Sequence, residues 1–149
     1  MNQIGIGKVG ILTILGAIGA FISSLFGGWD QALTTLIIFM AIDYLTGLLV
    51  AGVFHKSSKS ESGALESRAG WKGLCRKGMT LLVVFVAVRL DIATGTTYIK
   101  DAVVIAYVVN EALSIIENAG LMGLPIPEVI KKAIEVLRGK TEGNEVKNE

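Results

Sequence analysis

Apolar and polar positions alternate in long blocks along this chain. Mostly apolar stretches run from 9 to 26, 32 to 54 and 98 to 118, the first of them uncharged, and a fourth at 78–97 is interrupted by Arg89 and Asp91. The second, Ala32–Phe54, organises the rest. Its twenty-three residues make roughly 34 Å of helix, enough for a hydrocarbon core of about 30 Å. Asp43 stands at its middle. Thirteen Leu, Ile, Val, Phe and Met residues outweigh the carboxylate's cost of about +3 kcal/mol on the insertion scale. An acid at such a depth is paired or functional. Asp43, Gly47 and Ala51 are spaced by four, so the acid shares a face with small residues and is expected to meet a helix or water rather than lipid.

The remaining stretches follow the same logic. For 9–26 a signal peptide is the rival reading, but the run exceeds the usual apolar core of about 7–15 residues, so a retained first span is expected. Gly16, Ala20 and Ser24 give it a small-residue face. Within 78–97, Gly78–Val88 is too short alone, and a span extended to Thr97 requires Arg89 to snorkel outward. Residues 55–77 form a loop with six basic and two acidic residues, a composition that keeps short loops cytoplasmic. Its Ser- and Gly-rich start, Ser57–Gly63, is expected to be mobile. Trp71 and the Arg76–Lys77 pair are expected to mark re-entry into the bilayer. The tail beyond the last stretch carries Lys131, Lys132, Arg138, Lys140 and Lys147. Four spans put both termini and the basic loop inside; three would put the tail outside.

In 98–118, Tyr107, Asn110, Glu111, Ser114, Glu117 and Asn118 recur at spacings of three and four, a polar stripe along one helix. Interior packing is expected for Asn110 and Ser114, and water or a charge partner for Glu111. The chain then breaks at Gly120–Pro127. Pro127 suits a helix start, and an amphipathic helix is expected within 119–139, with Ile130, Ala133, Ile134 and Leu137 on one face. Residues 140–149 read as a disordered polar tail.

Composition sharpens the class. The chain is 52% hydrophobic and 18% charged, below the roughly 25% typical of soluble domains, with a mean hydropathy of +0.61. A net charge of +1 leaves no nucleic-acid footprint. The single Cys75 excludes an internal disulfide, and His55 reads as a solvated loop residue. No nucleophile–base pair, phosphate-cradling glycine motif or metal-ligand spacing is present, so no enzyme, cofactor or metal is expected. The expected fold is an all-α integral membrane protein of about four transmembrane helices plus a C-terminal amphipathic helix.

Three patterns together resemble a known family: Asp43–Tyr44–Leu45–Thr46–Gly47, then Ser67–Arg68–Ala69–Gly70–Trp71–Lys72–Gly73 with Arg76–Lys77, then Asn110–Glu111–Ala112–Leu113–Ser114–Ile115–Ile116–Glu117–Asn118 with Gly123–Leu124–Pro125–Ile126–Pro127. From about Asp43 to Gly139 the chain is similar to phage-lysis and toxin-secretion holins of Gram-positive bacteria and their phages. The resemblance implies oligomerisation with copies of itself in the bacterial cytoplasmic membrane. It also implies lesions that pass an endolysin or a large toxin as cargo. It assigns no role to single residues. On physical grounds Asp43, Gly47, Asn110, Glu111, Ser114 and Glu117 are the candidates for assembly or pore lining. A fixed partner such as Arg89, holding Asp43 within one chain, is the alternative for that acid. A non-lytic channel or exporter, and a holin antagonist acting as a membrane interaction protein, are the rival functions.

Overall fold

The computed structural model describes residues 3–59, 61–133 and 135–136. All regular structure among them is helical. The chain divides into one unit ending at Asp30 and another starting at Gln31. The first is a single helix, α1 (Gln3–Leu25), closed by Gly27 and Gly28 at positive φ with Gly28 N–H donating to Ser23 O. Its large apolar side chains, Val9, Leu12, Leu15 and Phe21 among them, are exposed.

The second unit is built on three helices. α2 (Gln31–Leu49) continues into a wider π-turn, Val50–Phe54, which ends on His55 in the left-handed conformation. α3 (Ser67–Thr94) and α4 (Ile99–Leu121) form a hairpin, and α4 packs against both α2 and α3. Leu33, Leu36, Met40 and Val50 meet Val84, Ala87, Val88, Val104 and Val109 in the apolar core. Gly7–Leu25 and Gln31–Phe54 are long and apolar enough to cross a membrane.

The largest departure from the expected boundaries is at α3. It begins at Ser67, so residues 67–77 are three helical turns rather than the second half of a loop. The physical reason lies in spacing. Gly70, Gly73, Lys77, Thr80, Val84, Ala87 and Asp91 recur every three or four residues and make one continuous inward face. Tyr44 of α2 lies against this face, where a Cβ at Gly70 would stand 3.7 Å from its Oη and one at Gly73 4.0 Å from its Cε2. Small residues there let the two helices approach.

The connecting segment 55–66 is tied back on itself by Ser57 N–H donating to Gly63 O. Gly63 has φ +73°, and a Cβ there would come within 2.6 Å of His55 O, so the turn requires glycine. At the far end of α3, Gly95 closes the helix in the left-handed conformation. The buried Asp91 accepts from Thr96 Oγ1 (2.6 Å), Ile99 N–H (3.0 Å) and Lys100 N–H (2.8 Å), capping α4.

α4 ends at Leu121, three residues beyond the expected limit of 118. Pro127 opens a helix described over 128–133 and 135–136, as its position predicts, with Lys131 paired to Glu128 at 2.9 Å. Ile134, Leu137 and the tail 140–149 lie outside the described residues.

Candidate functional site

The interior of the second unit holds an ion cluster contributed by three helices. Asp43 lies on α2 and is buried among the three helices. Lys77 lies on the inward face of α3 and donates to Asp43 Oδ2 at 2.7 Å and to Glu111 Oε2 of α4 at 2.5 Å. Asn118, two turns after Glu111, donates to Asp43 Oδ1 (3.1 Å), to Thr46 Oγ1 (2.9 Å) and to the main-chain carbonyl of Asp43 (3.3 Å). Asp43, Glu111 and Asn118 are buried, and the Lys77 side chain is only 13% exposed. Among the described residues no buried side-chain polar atom lacks a partner.

Charge is balanced only with help from the loop. Two carboxylates share the one buried ammonium, and Lys59 brings a second to 3.7 Å of Asp43 Oδ1. Its side chain is half exposed, so water screens that attraction. The buried contacts are screened far less; removing one partner of such a pair generally costs about 3–5 kcal/mol because a charge is stranded. Beside the cluster lies a half-open cavity of about 60 Å³ between α2, the loop and the start of α3. Asp43, Lys59 and Lys77 reach it, while Gly47, Ala51, Gly70 and Gly73 keep its walls low.

The site residues expected from sequence divide. Asp43, Gly47 and Glu111 come together; a Cβ at Gly47 would stand 3.8 Å from Asn118 Nδ2. Ser114 is half-buried between Glu111 and Asn118 on the same helix. Asn110 and Glu117 are exposed and turned away from the cluster. Each precedes a buried neighbour by one residue, a rotation of about 100°, so a stripe that wide cannot all face one way. Lys77 was expected at the membrane boundary and instead supplies the central cation. Arg89, the partner considered for Asp43, is exposed on α3. Asn118, Thr46 and Lys59 were not singled out for the site; the inward spacing that continues from Gly70 to Asp91 is the signal that points to Lys77. His55 is exposed at the loop start, and among the described residues no group of His, Cys, Asp and Glu side chains is arranged to hold a metal ion.

A family model described as the bacteriophage holin family matches residues 20–139. The chain belongs to this family. Among its relatives is a probable holin of Bacillus phage phi105, 34% identical over 111 residues that cover 74% of this chain and 76% of that protein. An uncharacterized 14.9 kDa protein in the nagH 3′ region of Clostridium perfringens is 38% identical over 141 residues, covering 93% of this chain and 98% of its own length. An uncharacterized protein of Listeria monocytogenes is 36% identical over 143 residues, covering 95% and 94%. No solved structure matches significantly. The holin-family match spans all three helices of the ion cluster and the loop that carries Lys59. Membership and the two apolar helices together make this a membrane protein.

Proposed function

We propose that this protein is a holin that oligomerises in the bacterial cytoplasmic membrane and opens lesions releasing an endolysin or, in a bacterial setting, a large toxin. Its four helices α1 to α4 all cross the bilayer, with both termini and the basic segment on the cytoplasmic side. It works without catalysis or a cofactor; similarity to a probable holin of a Bacillus phage supports the same reading. The observation that carries it is the Asp43–Lys77–Glu111 cluster inside helices whose outer faces are apolar. Charges kept inward let each copy reside in lipid as a stable unit, and assembly then acts between units that are already folded.

The half-open cavity beside Asp43 and Lys77 favours a second reading, a small non-lytic channel or exporter using the same charges. Expressing the chain alone while following membrane potential and release of a cytosolic enzyme separates the two. Abrupt collapse of potential accompanied by enzyme release supports the holin. Gradual, reversible ion flux without protein release supports the channel and overturns the holin reading.

A further inference from the structure

Arg76 and Lys77 are neighbours in sequence, yet only Lys77 turns inward. Arg76 belongs to the outer face of α3, with Lys72 and Arg68 at successive steps of four. All three are exposed, and among the described residues none has an ion pair or a side-chain hydrogen bond. Trp71 stands beside them, 67% exposed. Of the two acids in this part of the chain, Glu66 accepts from Ser62 Oγ at 2.7 Å and Glu61 lies in the loop, so neither neutralises the stripe.

The same outer face changes character after Arg76. Met79, Leu82, Val83, Val86 and Leu90 follow, every one exposed, and the next cation is Arg89. Thirteen helical steps from Arg76 to Arg89 make about 20 Å. Cationic side chains at both ends of such a stretch extend its reach by snorkelling. One continuous surface therefore presents a basic band, an aromatic ring at its edge and then an uninterrupted apolar band.

We propose that Arg68, Lys72 and Arg76 form a binding surface for the phosphate headgroups of anionic phospholipids. The proposal rests on α3 crossing the bilayer, as in the holin reading. An acidic protein would match the basic band alone. A lipid matches both bands, because its phosphate and its acyl chains sit at the levels where the helix places charge and then hydrocarbon. Basic residues at a cytoplasmic boundary are drawn to anionic leaflets in this way, and Trp71 occupies the interfacial level that indole rings prefer.

The test uses the full chain in phosphatidylcholine bilayers doped with spin-labelled phosphatidylglycerol or, separately, spin-labelled phosphatidylcholine. The fraction of motionally restricted label measures how often each lipid sits against the protein. The wild-type chain should prefer phosphatidylglycerol by about fivefold, the scale of one surface charge, and lose the preference in high salt. The Arg68→Gln/Lys72→Gln/Arg76→Gln variant should fall to a ratio near one. Arg68→Lys/Arg76→Lys, which keeps the charge, should retain the preference, as should Lys131→Gln/Lys132→Gln. Helical content by circular dichroism confirms that each variant is folded. An unchanged ratio in the triple Gln variant overturns the proposal. So does a wild-type chain without preference, which would leave the basic band to an acidic protein. No lesion is needed for this measurement: a lipid preference without enzyme release would remove the holin reading and leave this one standing.

Discussion

The Lys77 ammonium lies 2.7 Å from Asp43 Oδ2, joining α2 to α3 across 34 positions of sequence. The same ammonium reaches Glu111 a further 34 positions on. Asp43 therefore has its counter-charge within one chain and does not need a second copy to shield it from lipid. Assembly, in the proposed function, is left to the outer surfaces: the apolar faces of α1, α2 and α3, and the exposed Asn110 and Glu117 of α4.

Removing the shared cation should hurt more than removing one acid. Lys77→Met strands two buried carboxylates beside each other, and destabilisation of about 3–5 kcal/mol is expected. Asp43→Asn leaves the Lys77–Glu111 pair balanced and keeps an oxygen for Asn118, so its loss should be smaller. Asp43→Asn/Lys77→Met/Glu111→Gln strands no charge and should recover much of the Lys77→Met loss. Thermal melting in detergent orders the four proteins; a Lys77→Met chain that melts with the wild type would mean that the triad adds no stability.

Lys59 should behave differently from Lys77, although both approach Asp43. At 3.7 Å and half exposed, its contribution is that of a surface pair, about 0–1 kcal/mol. Lys59→Gln should shift the melting temperature little, and raising the salt concentration should erase even that difference.

Glycines in the second unit should sort by the space each one faces. Gly47→Ala and Gly70→Ala place their new carbons 3.8 Å from Asn118 Nδ2 and 3.7 Å from Tyr44 Oη, ordinary contacts, so both should fold. Gly70→Leu must displace the Tyr44 ring, and overpacking of that kind costs about 1–3 kcal/mol. Gly63→Ala meets a main-chain oxygen at 2.6 Å and a positive φ together. It should open the 55–66 turn, read as faster proteolysis of that segment.

Asp91 supplies the α3–α4 corner with acceptors for two main-chain N–H groups and a threonine hydroxyl. Asp91→Ala should lower the melting temperature by orphaning those donors. Asp91→Asn, a comparable capping residue, should be the milder change. Equal melting of the Ala variant and the wild type would show that α4 begins without this cap.

Run length and spacing make the helices legible in the sequence. Ala32–Phe54 and the stretch ending at Asn118 announced themselves as long apolar helices, and Asp43 announced that it needed company. Its partner was hidden because Lys77 sits in a basic run whose composition, Ser, Gly, Lys and Arg, is that of a solvated loop. Composition reports what a segment carries, not how it is rotated. Once α3 starts at Ser67, adjacent Arg76 and Lys77 are about 100° apart, and one goes to the surface while the other enters the core. The stripe on α4 was over-read for the same reason: positions 110 and 117 belong to the face beside the one carrying 111 and 118.

The lone thiol reports topology. Cys75 is exposed on the outer face of α3, among the basic residues assigned to the cytoplasmic side. An impermeant maleimide should leave it unlabelled in intact cells that hold their membrane potential, and label it once the membrane is opened. Ready labelling from outside beforehand would place this end of α3 on the other side and overturn the four-span arrangement.

Asp43→Leu separates a structural from a functional use of the acid. On the insertion scale the change favours the helix by about 3 kcal/mol, so delivery to the membrane should not suffer. Within the folded unit the new side chain cannot accept from Lys77 or Asn118, and Asn118 keeps only Thr46 Oγ1 and a main-chain carbonyl as acceptors. Lys77 would retain Glu111, so the loss should fall below that of Lys77→Met. If the acid serves to hold α2 against α3 and α4, abundance in the membrane and release of a cytosolic enzyme should decline together. If it acts in the opening itself, abundance should persist while release is lost or mistimed. The intramolecular contacts favour the first outcome. Quantitative blots beside the release assay distinguish them, and normal abundance with wild-type timing would remove Asp43 from both roles.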